Sequence, residues 1–218
     1  DRLGETIVFP LLPFLLERFT NSGSTLGLLA GTYAISQFAV APLIGALSDR
    51  FGRKPILLLG IALFIFASVG CAFSNSIYQV IFFRVLQGMG ACVGPTLTRT
   101  IARDVFGADG AARALSLVAM MMTLAPAVAP LFGGLMLHFF HWTSIFIFLA
   151  IYGSLIWFLI NRYLQESLPV AQSILPRVVF KNYSSLITDR TFISSSIVAA
   201  MMYSGLMIYL ASSGFIYV

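Results

Sequence analysis

The chain has 218 residues, of which 59% are hydrophobic and only 10% charged, with a mean hydropathy of +0.93 and a formal net charge of +5. Soluble domains carry about 25% charged residues, and a fold of this size must still cover its outside with polar surface. A water-soluble globule is therefore excluded, and the class is an all-α polytopic membrane protein. The positive charge does not mark a nucleic-acid face, which needs its bases on one surface. Here ten of the thirteen cations lie in three separate clusters: Arg50, Arg53 and Lys54; Arg99, Arg103 and Arg113; Arg162, Arg177, Lys181 and Arg190.

A transmembrane helix needs about 20 mostly apolar residues, and seven segments qualify wholly or in part. They are twice the length of a barrel strand and do not alternate, which favours helices. The first runs from about 1 to 19 and carries Asp1 and Glu5, ending in Glu17-Arg18-Phe19. Counted back from Glu17 at about 1.5 Å per residue, Glu5 lies roughly 18 Å inward, near the midplane. Ionisable groups at that depth are costly and are functional candidates by default. A carboxylate in a low-dielectric setting can exchange a proton near neutral pH, so Glu5 and Asp1 are candidate proton-coupling sites. The alternative is a Glu5 satisfied by a neighbouring helix, with Arg84 as its partner.

The second span, about 25 to 47, carries Tyr33 and Phe38 and leads into Gly45-Ala-Leu-Ser-Asp49-Arg50-Phe-Gly52-Arg53-Lys54-Pro55-Ile-Leu57. One carboxylate, three cations, two glycines and a proline are far more chemistry than a chain reversal requires. The third span, about 55 to 74, ends in Ser74-Asn75-Ser76, a turn without Lys or Arg. The fourth, about 77 to 101, carries Arg84, followed by Gln87, Gly88 and Gly90. Arg84 lies roughly 10 Å inward and is a third proton-coupling candidate, through its effect on a nearby carboxylate or by holding an anionic group. It cannot be neutralised, so it must face a counter-charge, water or the interface.

The fifth span, about 112 to 137, carries Met120 and Met121, then Ala125-Pro126-Ala-Val-Ala129-Pro130-Leu-Phe-Gly133-Gly134. Prolines four apart remove two donors from one face and are expected to bend the helix, while the glycine pair admits a close neighbour. His138 and His141 follow, and without a third ligand they suit an interfacial role better than a metal. The sixth span runs from about 142 to 163 and the seventh from about 191 to 218. Basic turns after spans two, four and six, against turns without Lys or Arg after three and five, give the positive-inside pattern. The domains expected are a bundle over 1–165, a cytoplasmic linker over 166–190 with a short surface helix from Arg177 to Ile187, and the start of a second bundle over 191–218. The chain reads as cut at both ends.

These motifs converge on one family. Gly45 to Leu57 resembles the signature loop between helices two and three of the major facilitator superfamily. Arg84 to Gly90 resembles the helix-four motif of its proton-coupled drug antiporters, and Ala125 to Gly134 resembles the helix-five antiporter motif, with alanine at 125 and 129 where the family has glycine. Arg99 to Gly134, Trp142 to Phe148 and Ala211 to Phe215 look like the Bcr/CflA drug-resistance transporters. Asp1 to Pro13 looks more like the tetracycline-type exporters.

The resemblance implies two six-helix halves rocking about a midplane site, this chain being the first half plus helix seven. It implies that Asp49, within the set Gly45, Asp49, Arg50, Gly52, Arg53 and Lys54, bridges to the other half and holds the outward-open state. Arg53 would join it to an acid at the inner end of helix four, for which Asp104 is the candidate. It further implies a multi-pass protein of a bacterial inner membrane, monomeric when full length. Such a protein exports small drug-like compounds against protons, using the proton gradient and no cofactor or metal. Phe14, Tyr33, Phe38, Met120 and Met121 are the candidate walls of the drug cavity. The alternatives are a proton symporter importing a metabolite and a non-transporting sensor. No set of residues suits an enzyme.

Overall fold

The computed structural model describes residues 2–11, 23–168 and 188–216. Asp1, Phe14 and the surface helix expected at 177–187 lie outside the described residues, as do the side chains of Pro126 and Pro130. The described residues are helices and short turns: α1 (Arg2–Thr6), a 3-10 turn (Phe9–Leu11), α2 (Gly23–Phe51), α3 (Arg53–Ala72), α4 (Ile77–Ala91), α5 (Val93–Phe139), α6 (Thr143–Tyr163) and α7 (Arg190–Ile216). Two units, Asp1–Ala171 and Gln172–Val218, divide the chain.

The first helix is shorter than the uninterrupted span expected there. α1 stops at Thr6 because Pro10 has no N–H to give to the Thr6 carbonyl, and its ring would press on that oxygen. The chain turns instead, with Leu11 N donating to Val8 O at 3.0 Å. A second difference lies in helices four and five. α4 and the start of α5 act as one 31-residue span, Ile77–Gly107. Cys92 at their junction keeps helical dihedrals, and its N–H reaches Gly88 O at 3.1 Å. The break comes at Gly107, whose φ of 68° lies in the left-handed region that only glycine enters without cost. Across Pro126 and Pro130 the backbone dihedrals stay helical, and the non-helical residue inside α5 is Gly107.

α3 is the centre of the first unit, packed between α4 and α6, while α2 packs on α4, and α1 with the 3-10 turn packs on α5. Glycines set the closest crossings. A Cβ on Gly90 would fall 2.6 Å from both Gly60 O and Phe64 N, and one on Gly153 of α6 would fall 3.0 Å from Ile65 Cγ1. Ile56, Leu57, Val93 and Leu97 form a buried cluster where α3 meets α5. The outside is as apolar as the inside: Leu59, Phe66, Phe82 and Phe158 are all more than half exposed. Four described stretches are long and apolar enough to cross a bilayer, Gly27–Phe51, Arg53–Ala72, Ile77–Gly107 and Thr143–Tyr163. In α7, the Asp189 carboxylate accepts the N–H groups of Thr191 and Phe192 at 2.8 and 3.3 Å, an N-cap that starts the helix.

Candidate functional site

Two polar clusters interrupt the apolar bundle. The first centres on Arg84, which is 1% exposed. Its Nη1 donates to Gly4 O at 3.1 Å and to Gln87 Oε1 at 2.7 Å. The 84 and 87 spacing puts both side chains on one face of α4. Gln87 Nε2 in turn donates to Ser68 Oγ at 2.7 Å, and Ser68 Oγ donates to Phe64 O at 2.7 Å. The guanidinium carbon stands 4.2 Å from the centre of the Tyr33 ring, a cation–π contact strengthened by exclusion of water. Arg84 Nε finds no partner among the described residues. Glu5, half-buried on α1 beside the carbonyl that takes the Arg84 bond, lies within electrostatic reach of the guanidinium.

Gly88 lets this cluster form, because a Cβ there would collide with Ser36 Oγ and stand 2.5 Å from Tyr33 O. Gly133 of the helix-five motif meets α1's end: a Cβ on it would fall 2.8 Å from Ile7 O, whereas Gly134 faces open space.

The second cluster lies at the basic end of the bundle. Arg53 is 9% exposed. Its Nη1 donates to Ser48 Oγ at 2.7 Å and pairs with Asp49, while Nε pairs with Asp104 Oδ2 at 3.2 Å. Asp49 and Arg53 stand on either side of Gly52, whose φ of 100° reverses the chain between α2 and α3. Arg53 and Asp104, 51 residues apart in sequence, are thus brought together as the resemblance implied. A Cβ on Gly45 would meet nothing within 4 Å, and Arg50 is exposed with its guanidinium 5.1 Å from the Phe51 ring. Lys54 Nζ donates to Asn161 O at 2.9 Å.

Sequence reasoning missed three participants. Ser48 and Ser68 each seat a charged or amide group, but isolated serines in apolar helices give no distinguishing signal. Glu166 is different. Its carboxylate accepts the backbone N–H groups of Arg53 and Lys54 at 2.9 and 3.1 Å and of Ser167 and Leu168 at 3.0 Å each. A lone acid four residues beyond an apolar run that ends in Arg162 was a readable signal.

Partial burial pushes the Glu166 carboxyl up, but the four N–H donors outweigh it and hold the group below its ordinary value. The stabilisation is therefore present above the unfolded value of about 4.3 and is lost as pH falls through the lower folded one. Between pH 5 and pH 3, the melting temperature of the full-length protein should fall further for the wild type than for Glu166→Gln, whose amide does not titrate.

The cavity candidates scatter. Tyr33 is 1% exposed beneath Arg84, so it is a partner of the guanidinium and not an open wall. Phe38 and Met120 are exposed on the outside of the unit. Met121 lines a crevice of about 510 Å³ between the two parts of α5 and α6, together with Pro95, Arg99, Met122 and Tyr152. Among the described residues no group of three or more His, Cys, Asp or Glu is placed to hold a metal, and His141 Nδ1 lies 3.3 Å from Thr143 Oγ1.

The family model described as Major Facilitator Superfamily matches residues 1–217. The chain belongs to the Major Facilitator Superfamily. Within that superfamily it is 32% identical to the uncharacterized MFS-type transporter YdgK of Bacillus subtilis over 99% of this chain and 54% of that protein. It is 33% identical to multidrug resistance protein D of Escherichia coli over 67% of this chain and 36% of that protein. It is likewise 33% identical to a chloramphenicol resistance protein of Pseudomonas aeruginosa, over 68% of this chain and 36% of that protein. The crystal structure of the human organic anion transporter MFSD10 (TETRAN) superposes with a TM-score of 0.66 at 24% identity, over 78% of this chain and 45% of that one, which shows the major facilitator fold. The chain spans about half or less of the length of these relatives.

Proposed function

We propose that the full-length protein is a proton-coupled exporter of small amphipathic, drug-like compounds working by alternating access in a bacterial inner membrane. The names of its relatives support the substrate class, and the alternation of basic turns supports a cytoplasmic location for the Arg53 end. One observation carries the coupling. A buried Arg84 is hydrogen-bonded to the backbone of α1 immediately before Glu5, so a change in the charge of Glu5 would be felt by a guanidinium that cannot itself neutralise. Protonation of Glu5 would then stabilise one conformational state over the other, which is what a population shift requires.

The Arg53–Asp49–Asp104 set would act as the latch of the outward-open state, with Asp49 and the uncovered Gly45 presented to the second half. The test is drug-dependent proton release from vesicles holding the full-length protein. Glu5→Gln should abolish release while leaving drug binding within a few-fold of wild type. Undiminished release by Glu5→Gln would remove Glu5 from the coupling step.

A further inference from the structure

α3 begins where α6 ends, so the unpaired amides of one helix face the unpaired carbonyls of the other. Neither end is satisfied by its own sequence. Gly52, the cap residue of α3, has no side chain to offer, and Leu164 caps α6 with its backbone alone. The two helices satisfy each other. Glu166 presents Oε1 to Arg53 N at 2.9 Å and Oε2 to Lys54 N at 3.1 Å, an anion at the positive end of a helix dipole. Lys54 Nζ donates to Asn161 O at 2.9 Å, a cation at the negative end of the other.

We propose that Glu166 and Lys54 form a reciprocal clasp between the ends of α3 and α6, and that Glu166 is a positioning residue for the Arg53 set. Its effect on transport rests on the latch reading above; its geometry does not. Arg53 is held twice over. Ser48, Asp49 and Asp104 fix its guanidinium, and Glu166 fixes the peptide from which that side chain grows.

Gly52 supplies an independent sign that the position is built around the acid. A Cβ there would stand 2.5 Å from Glu166 Oε2 and 3.0 Å from its Cδ, so the glycine vacates the space that the carboxylate fills. Glu166 also takes the N–H groups of Ser167 and Leu168, which pins the first residues of the chain leaving α6.

The experiment uses the full-length protein in lipid nanodiscs, with Glu166→Ala, Glu166→Gln and Lys54→Met. Backbone hydrogen exchange over Arg53 and Lys54 is read beside the accessibility of a cysteine engineered at the basic end, against native cysteines that are buried. Glu166→Ala should speed exchange about tenfold, the size of a lost helix cap. It should also shift the accessible population toward inward-open and lower the maximal transport rate without changing KM. Glu166→Gln keeps an acceptor for Arg53 N but turns an NH2 toward Lys54 N, so it should restore slow exchange at Arg53 and not at Lys54. Lys54→Met should move all three readouts in the same direction as Glu166→Ala, by less. Unchanged exchange in Glu166→Ala overturns the clasp. Faster exchange with unchanged population and rate overturns the positioning role and leaves a simple cap. Asp49→Asn separates the two readings: if it leaves the population unchanged while Glu166→Ala shifts it, the clasp stands and the latch reading falls.

Discussion

Replacing Arg84 with alanine should cost the protein most of its folded yield, and Arg84→Lys should recover little of it. The guanidinium is 1% exposed and is held by Gly4 O, by Gln87 Oε1 and by the face of the Tyr33 ring. Truncation leaves two buried acceptors without a donor and opens a cavity of nearly a whole side chain. Breaking a buried charged network by removing one member costs about 3–5 kcal/mol, a large share of a typical domain stability of about 5–15 kcal/mol. Lysine keeps the charge but replaces the planar fork with a point cation, which stacks poorly on Tyr33 and cannot reproduce the same pair of bonds. Thermal unfolding in detergent, read beside the monodisperse fraction after extraction, checks this. A variant melting within a few degrees of wild type would show that the cluster is dispensable for the fold.

The second large effect is expected at Gly90. A methyl group there would stand 2.6 Å from Gly60 O and from Phe64 N, both backbone atoms of α3, so no side-chain rotation relieves it. α3 and α4 would have to separate along their whole contact, and overpacking of that kind costs about 1–3 kcal/mol or more. Gly90→Ala should therefore lower the melting temperature markedly. Gly27→Ala is the control: nothing lies within 4 Å of a Cβ at that position, and there the gain in helix propensity of about 1 kcal/mol should dominate. Equal behaviour of the two variants would mean that α3 and α4 are not held at that crossing.

How far these features were legible in the sequence depends on the range of the interaction that fixes each. Membrane spans follow from local apolar length, and α2, α3, α4 and α6 lie where composition puts them. The proline at position 10 was equally visible, but its effect, stopping α1 at Thr6, was outweighed by the apolar run around it. At Pro126 and Pro130 the helical dihedrals continue, while the break in α5 falls at Gly107, a residue that no sequence pattern singled out. Arg53 with Asp104 was anticipated through the resemblance of the charged loop to the superfamily's signature, and not from local pattern. Tyr33 could not be assigned to Arg84 from spacing, since the choice between an open wall and a buried ring is made by how α2 crosses α4. Glu166 was readable as an acid at the end of a span, but what it binds was not. Its partners are backbone amides, which every residue has and no sequence pattern marks.

The hydrogen bonds running from Arg84 all point one way. Guanidinium donates to the Gln87 oxygen, the Gln87 amide nitrogen donates to the Ser68 hydroxyl, and that hydroxyl donates to the Phe64 carbonyl. The shorter series from Arg53 through Ser48 to the Gly45 carbonyl has the same sense. Each begins on a group with five donors and no acceptor and ends on a peptide oxygen with no proton to give. Such a series polarises along its length and strengthens itself, but it has no reversed form, because the arginine at its head cannot receive. It conducts electrostatic influence and blocks proton hopping. A proton crossing this half of the molecule would have to bypass both arginine networks.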